Sequence, residues 1–123
     1  MEFLWTTIQV KDMKDSLNFY QNIIGLSIQR RFNADENTEI VFLGDGETKI
    51  ELVYMKKKID ISFGNDISLG FKVDSIDGMM KKLKENGIKI ETEVIQPNPN
   101  VKFFYTRDPN GLKIQLVENS WKI

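Results

Sequence analysis

Lys49-Ile50-Glu51-Leu52-Val53 recurs 64 residues later as Lys113-Ile114-Gln115-Leu116-Val117. In each copy apolar Ile and Leu alternate with a longer polar side chain, the period-two signature of a strand buried on one face. Working outward, residues 39–43 precede the first copy across Gly44-Asp45-Gly46, and residues 101–106 precede the second across Asp108-Pro109-Asn110-Gly111. Both connectors have turn chemistry, so each copy closes a hairpin, with strands predicted over 48–54 and 112–118.

The pattern further upstream is also written twice. Residues 3–10 carry Thr and β-branched side chains and stop at Lys11-Asp12, as a strand does before a helix. Asp12 and Asp15 can accept the free N–H groups of a first helical turn, Met13, Leu17, Tyr20 and Ile24 form an apolar stripe, and Gly25 ends it. A strand over 26–32 and a polar loop over 33–38 complete the first set. In the second set, residues 67–73 form a strand, Asp74 and Ser75 are cap candidates, Ile76, Met80 and Leu83 form the stripe, and Gly87 is the stop. A strand is then predicted over 88–94, followed by a loop over 96–100 that holds Pro97 and Pro99. Trp5 and Ser68, like Val10 and Val73, are 63 residues apart, so the halves run in register with one single-residue slip. The fold class is α+β, built from two tandem βαβββ modules whose sheets curve into a cleft. The organisation expected is one domain over 1–123, with module one about 1–55, a Lys-rich linker about 56–66, module two about 67–118 and a tail over 119–123.

Composition narrows the chemistry. The 123 residues hold 17 Lys+Arg against 18 Asp+Glu, so no basic field is available to hold nucleic acid or an anionic membrane. His and Cys are both absent, which excludes Ser–His–Asp and Cys–His catalysis, zinc fingers and iron–sulfur clusters. Lys56-Lys57-Lys58 reads as a solvated connector and Gly44-x-Gly46 as a turn rather than a phosphate cradle. The N-terminus lacks the apolar core of a signal peptide and no apolar run is long enough to span a bilayer, so a cytoplasmic protein without nucleic-acid or membrane partners is expected.

Thr7-x-x-Val10-x-Asp12-x-x-x-Ser16-x-x-Phe19-Tyr20, then Gly25-Leu26, together with Asp108-Pro109-Asn110-Gly111 before Ile114-x-Leu116, are similar to the first strand and helix and the last hairpin of the vicinal oxygen chelate superfamily. That superfamily holds glyoxalase I, bleomycin-resistance proteins, fosfomycin-resistance proteins and extradiol dioxygenases, and the resemblance spans nearly the whole chain. It implies a homodimer, whose pocket often forms between modules of two subunits. In metal-dependent members four ligands, two His and two Glu, lie on four strands, and those positions fall here on Trp5, Glu51, Ser68 and Gln115. Only Glu51 keeps ligand chemistry, so the resemblance implies a member with no metal and no other cofactor.

Each of these positions carries alternative readings. Glu51 faces away from Ile50 and Leu52; it is either an ordinary carboxylate paired with Lys49 or Lys113, or a group that orients a polar or cationic ligand, or the single candidate general base. Gln115 is a satisfied polar group or a ligand contact, Ser68 a possible hydroxyl contact, and Trp5 either plugs a cavity or forms an aromatic wall. Tyr105 belongs to a set of strand aromatics, with Tyr54, Phe71, Phe103 and Phe104, of which alternation lets only some face inward. Three functions stay open: a metal-free module that sequesters or senses a small aromatic or cationic molecule, a glyoxalase-type lyase with a rebuilt metal site, and a structural protein with a filled cavity. The missing ligands favour the first and third.

Overall fold

The computed structural model describes residues 1–58 and 60–120. The chain divides into two compact units, Met1–Ser62 and Phe63–Ile123. Each repeats the order strand, helix, three strands.

In the first unit, β1 (Trp5–Gln9), α1 (Met13–Leu17), β2 (Ile28–Asp35), β3 (Thr38–Leu43) and β4 (Lys49–Met55) follow one another. The sheet order is β1-β4-β3-β2, with β1 parallel to β4 and the other pairs antiparallel. The Asp12 carboxylate accepts the Asp15 N–H at 2.9 Å and caps α1. From Asn18 to Ile23 the helix widens into a π-helical segment. Ile24 N–H then bonds to Phe19 O at 2.9 Å, five residues back. The wider turn changes the buried stripe: Met13, Leu17 and Tyr20 are buried as expected, but Phe19 and Ile23 join them while Ile24 is only half-buried. On the sheet, Ile8, Val41, Leu43, Ile50 and Leu52 face this helix and are nearly solvent-free.

The second unit repeats the arrangement with β5 (Ser68–Lys72), α2 (Ile76–Glu85), β6 (Ile95–Asn98), β7 (Val101–Arg107) and β8 (Lys113–Asn119), in the order β5-β8-β7-β6. Of the two cap candidates, Ser75 accepts the Gly78 N–H at 3.0 Å. Ile76, Leu83, Phe104, Ile114 and Leu116 form this unit's core.

The strand expected over 88–94 is absent. That segment makes one bridge, Ile90 to Thr106, and the pairing falls instead on Ile95–Asn98, three of whose four residues were expected to be loop. Pro97 is admissible there because β6 is the sheet's edge, where a missing N–H need not be matched. The loop expected over 33–38 is likewise shorter, since β2 runs on to Asp35 and β3 starts at Thr38. The linker and the C-terminal tail include Ile59 and residues 121–123, which lie outside the described residues.

The single-residue slip has a location. β1 starts at Trp5 opposite Lys49 and β5 at Ser68 opposite Lys113, the same register in both units. Phe42 pairs with Glu51 but Tyr105 pairs with Gln115, so the second hairpin is one residue longer. The Asp108 carboxylate organises that longer turn, accepting the N–H of Asn110 at 2.8 Å and of Leu112 at 2.9 Å. Gly111 completes it at a φ of 93°, in the left-handed region that glycine adopts without a Cβ clash.

Candidate functional site

Opposite the helix, each sheet presents a second face, and the four positions Trp5, Glu51, Ser68 and Gln115 lie on it. Side chains alternate along a strand and align across strands, so the register lists the members of each row. In the first unit one row runs Thr7, Glu51, Phe42; in the second the matching row runs Gly70, Gln115, Tyr105. The equivalence of Glu51 and Gln115 is thus a property of the strand pairing as well as of the sequence.

Glu51 is half-buried, and its Oε1 accepts the Thr7 hydroxyl at 2.5 Å. The pairing with lysine considered above does not occur. The Lys49 ammonium donates to Gly46 O at 3.2 Å, and Lys113 sits 4.2 Å from the centre of the Tyr105 ring. Thr7 satisfies the carboxylate locally, which lets the lysines find other partners. Next to it, Trp5 on β1 and Phe42 on β3 meet edge to face over the intervening β4, with ring centres 5.1 Å apart and planes at 72°. Trp5 is 44% exposed in the isolated chain.

In the second unit Gly70 replaces Thr7. A Cβ at Gly70 would lie 3.2 Å from Gln115 Oε1, so the missing side chain provides the room in which that amide oxygen rests. The Gln115 amide donates from Nε2 to the Tyr105 hydroxyl at 3.4 Å, and Tyr105 packs edge to face on Phe103 at 5.7 Å. Phe104, one residue along, points the other way into the core, and Ser68 is exposed at the start of β5. The structure therefore brings Glu51 and Trp5 together on one sheet face and Gln115 and Tyr105 on another.

Sequence reasoning missed three participants. Thr7 was visible as part of a motif but not as the partner of Glu51; its distance of two residues from Trp5, matching that of Glu51 from Lys49, was the available signal. Phe42 and Gly70 need the register to be recognised. Also missed was a cavity of about 550 Å³ on the same face of the second sheet, between Gln115 and Asn119 and walled by Val101, Phe103 and Val117. A larger groove of about 770 Å³ in the first unit lies beside α1. It is on the helix side of the sheet, away from Glu51, and the Arg31–Glu39 ion pair of 2.8 Å spans part of its wall.

The residues present do not suit a catalytic metal. The four positions offer one carboxylate, one amide, one hydroxyl and an indole whose N–H donates and cannot ligate. The carboxylate already accepts a short hydrogen bond, and the Gln115 amide is turned toward Tyr105. Among the described residues no group of three or more His, Cys, Asp or Glu stands close enough to hold a metal ion.

The repeated βαβββ unit and the paired central strands define a known class. Residues 2–116 match the model of the Glyoxalase/Bleomycin resistance protein/Dioxygenase superfamily, and the chain belongs to that family. The chain is 28% identical to a lactoylglutathione lyase of Escherichia coli O157:H7, covering 96% of this chain and 93% of the relative. It is 32% identical to a probable lactoylglutathione lyase of Synechocystis, covering 99% and 98%. Among solved structures, the trypanothione-dependent glyoxalase I of Leishmania major superposes with a TM-score of 0.82 at 22% identity, over 96% of this chain and 86% of that one. An antibiotic-binding protein from a Streptomyces species superposes with a TM-score of 0.74 at 17% identity, over 98% and 97%. The fold is thus shared by lyases and by a binding protein. No helix among the described residues is long and apolar enough to cross a membrane.

Proposed function

We propose that this protein is a metal-free member of its family that binds a small organic molecule, sequestering or sensing it rather than transforming it. The observation that carries this reading is the surroundings of Glu51: a carboxylate held by Thr7 at 2.5 Å, with no cationic side chain paired to it among the described residues, beside the Trp5–Phe42 ring pair. A carboxylate next to aromatic faces suits a ligand that is aromatic, or cationic, or both, because each ring face and the carboxylate attract positive charge. Glu51 and Trp5 are the principal ligand contacts, with Ser68, Gln115 and Tyr105 as further candidates. A homodimer in the cytoplasm remains the expected setting.

Titration calorimetry of chelator-treated protein against aromatic amines of graded size tests this. Saturable one-to-one binding that survives chelation, and that weakens in Glu51→Gln, is the expected result. Absence of binding across the panel, or binding restored only by added metal, overturns it.

The second reading, a glyoxalase-type lyase, is favoured by the names of the relatives at 28–32% identity. It has to supply a metal from a donor set with one carboxylate, and Glu51 is its one candidate base. The third reading, a structural protein whose cavity is filled by Trp5, is disfavoured by the 44% exposure of that residue.

A further inference from the structure

Asn is followed by Gly twice in the sequence, at Asn86-Gly87 and at Asn110-Gly111. Such a pair is chemically unstable in water. With no Cβ to hinder it, the backbone nitrogen of the glycine can approach the preceding side-chain amide and displace ammonia from it. The fold gives the two pairs opposite surroundings. Asn110 lies in the turn before β8 and is 3% exposed. Its N–H donates to Asp108 Oδ1 at 2.8 Å and its Nδ2 to Asp108 Oδ2 at 3.2 Å, while Arg107 donates to Gly111 O at 2.9 Å. The side-chain amide and the peptide that would attack it are thus fixed together in one buried turn.

Asn86 instead caps the C-terminus of α2, where residues 84–87 are all exposed. Its Nδ2 donates to Lys82 O at 2.8 Å. Gly87 follows at a φ of 70°, with its N–H on Lys84 O at 3.1 Å, and the Ile88 N–H closes the turn on Leu83 O at 2.9 Å. Attack on the side chain requires Asn86 ψ to rotate from its value of 10°, so the reaction waits for this turn to open. Last helical turns are where helices fray. Once it opens nothing obstructs closure, since a Cβ built at Gly87 would meet no atom within 4 Å. Lys82 and Lys84 in the same turn favour the nitrogen anion that must form.

From this contrast we infer that Asn86 is a site of spontaneous covalent modification that loosens α2, while the fold protects Asn110. The Gly87 nitrogen loses its proton to hydroxide and bonds to Asn86 Cγ; the bond from Cγ to Nδ2 breaks and the nitrogen leaves as ammonia. Water then opens the resulting five-membered imide at either carbonyl, giving Asp or isoaspartate at position 86. One water is consumed and one ammonia released. Either product loses the donor to Lys82 O and puts a carboxylate at the negative end of α2, and isoaspartate also lengthens the main chain across the cap. Leu83, fully buried in this unit's core, lies one turn away. The inference is independent of the reading built on Glu51.

Ageing the full chain in mildly alkaline buffer, folded and in urea, followed by peptide mapping, tests this. In the folded protein the peptide holding Asn86 should gain the mass difference between NH2 and OH and split into two products of equal mass, faster as pH rises, while the peptide holding Asn110 stays unchanged. In urea both should convert at similar rates, because the local sequence is Asn-Gly in each. Asn86→Gln should abolish conversion at that position, since the longer side chain closes a less favourable ring. Asn86→Asp reproduces one product directly, and hydrogen exchange at the Ile88 amide should quicken about fivefold in it, as loss of one hydrogen bond implies, with the Leu112 amide unaffected. Conversion of Asn110 as fast as Asn86 in the folded protein would overturn the inference, as would an unchanged Asn86 under conditions where both sites convert in urea. Unaltered exchange at Ile88 in Asn86→Asp would overturn the effect on α2.

Discussion

The Thr7 hydroxyl and the Glu51 carboxylate, neighbours across the parallel β1–β4 pair, are joined by a 2.5 Å hydrogen bond. In the matching row of the second unit the pair is Gly70 and Gln115, where no hydroxyl exists and the amide turns to Tyr105 instead. Two copies of one strand arrangement thus carry a satisfied carboxylate in one half and a neutral carboxamide in the other.

Purified protein is therefore expected to hold no stoichiometric transition metal and to show negligible lactoylglutathione lyase activity. Elemental analysis after dialysis against a chelator checks the first, and product formation from the hemithioacetal of methylglyoxal and glutathione checks the second. One Ni, Zn, Mn or Fe per chain retained through chelation would promote the lyase reading.

Gly70→Ala places a methyl group 3.2 Å from Gln115 Oε1, closer than an unstrained contact. The Gln115 side chain has to move, and its 3.4 Å bond to Tyr105 is a long, weak restraint on it. A displaced Gln115 side-chain amide resonance is expected in NMR spectra, with a stability loss of about 1 kcal/mol because the side chain is half-buried and can swing outward. An unmoved resonance would mean that the glycine is not what positions the amide.

Turn and cap residues separate by the number of backbone groups they satisfy. Asp108→Ala orphans two N–H groups in a buried turn and should cost about 2–4 kcal/mol, whereas Ser75→Ala removes one exposed cap bond and should cost about 1 kcal/mol. Asp108→Asn keeps an amide oxygen in place and should recover part of the loss. Urea melts of the three variants give the ranking; equal losses for Asp108→Ala and Ser75→Ala would contradict it.

What could be read in the sequence follows from where the signals are local. Caps at Asp12 and Ser75 and the alternation at Ile50, Leu52, Ile114 and Leu116 depend on neighbours within a few residues, and they led to both modules and to the family. The segment 88–94 misled because its apolar residues alternate like a strand, although just one of them bridges to Thr106. The strand that does pair contains Pro97, which is a breaker except on an edge, and whether a strand lies on an edge is a tertiary property. For the site, Glu51 and Gln115 came from the resemblance to the family's ligand positions, and the repeat set them opposite each other as equivalents. Thr7, Phe42, Gly70 and the cavity walls on β7 required the register between strands, and no single segment carries that.

Each four-stranded sheet has two edges, β1 and β2 in the first unit and β5 and β6 in the second, and β2 is eight residues long and largely exposed. Open edges of this length favour pairing or coverage by another chain. Sedimentation at tens of micromolar is expected to show a species of about twice 14.3 kDa. A monomer at that concentration would count against the homodimer.

Trp5 should report directly on binding near Glu51. The chain has two tryptophans, Trp5 and Trp121, so Trp121→Phe leaves Trp5 as the one indole emitter. The residue is 44% exposed, and Phe42 meets its ring edge to face, 5.1 Å between centres. That arrangement leaves indole surface open to a second aromatic group, and an aromatic amine that stacks there brings its ammonium toward the Glu51 carboxylate. Saturable quenching or a spectral shift is expected with such a ligand. Glu51→Gln should weaken binding by about 1–3 kcal/mol, the cost of a lost charge-assisted hydrogen bond, while a neutral ligand of the same ring loses little. The pairing of ligand charge with the Glu51 substitution separates recognition from simple adhesion to an exposed ring, since adhesion would be indifferent to both. A blue-shifted Trp5 that ignores every aromatic ligand and is shielded from acrylamide would instead mean that the ring is enclosed, and the structural reading would replace the binding one.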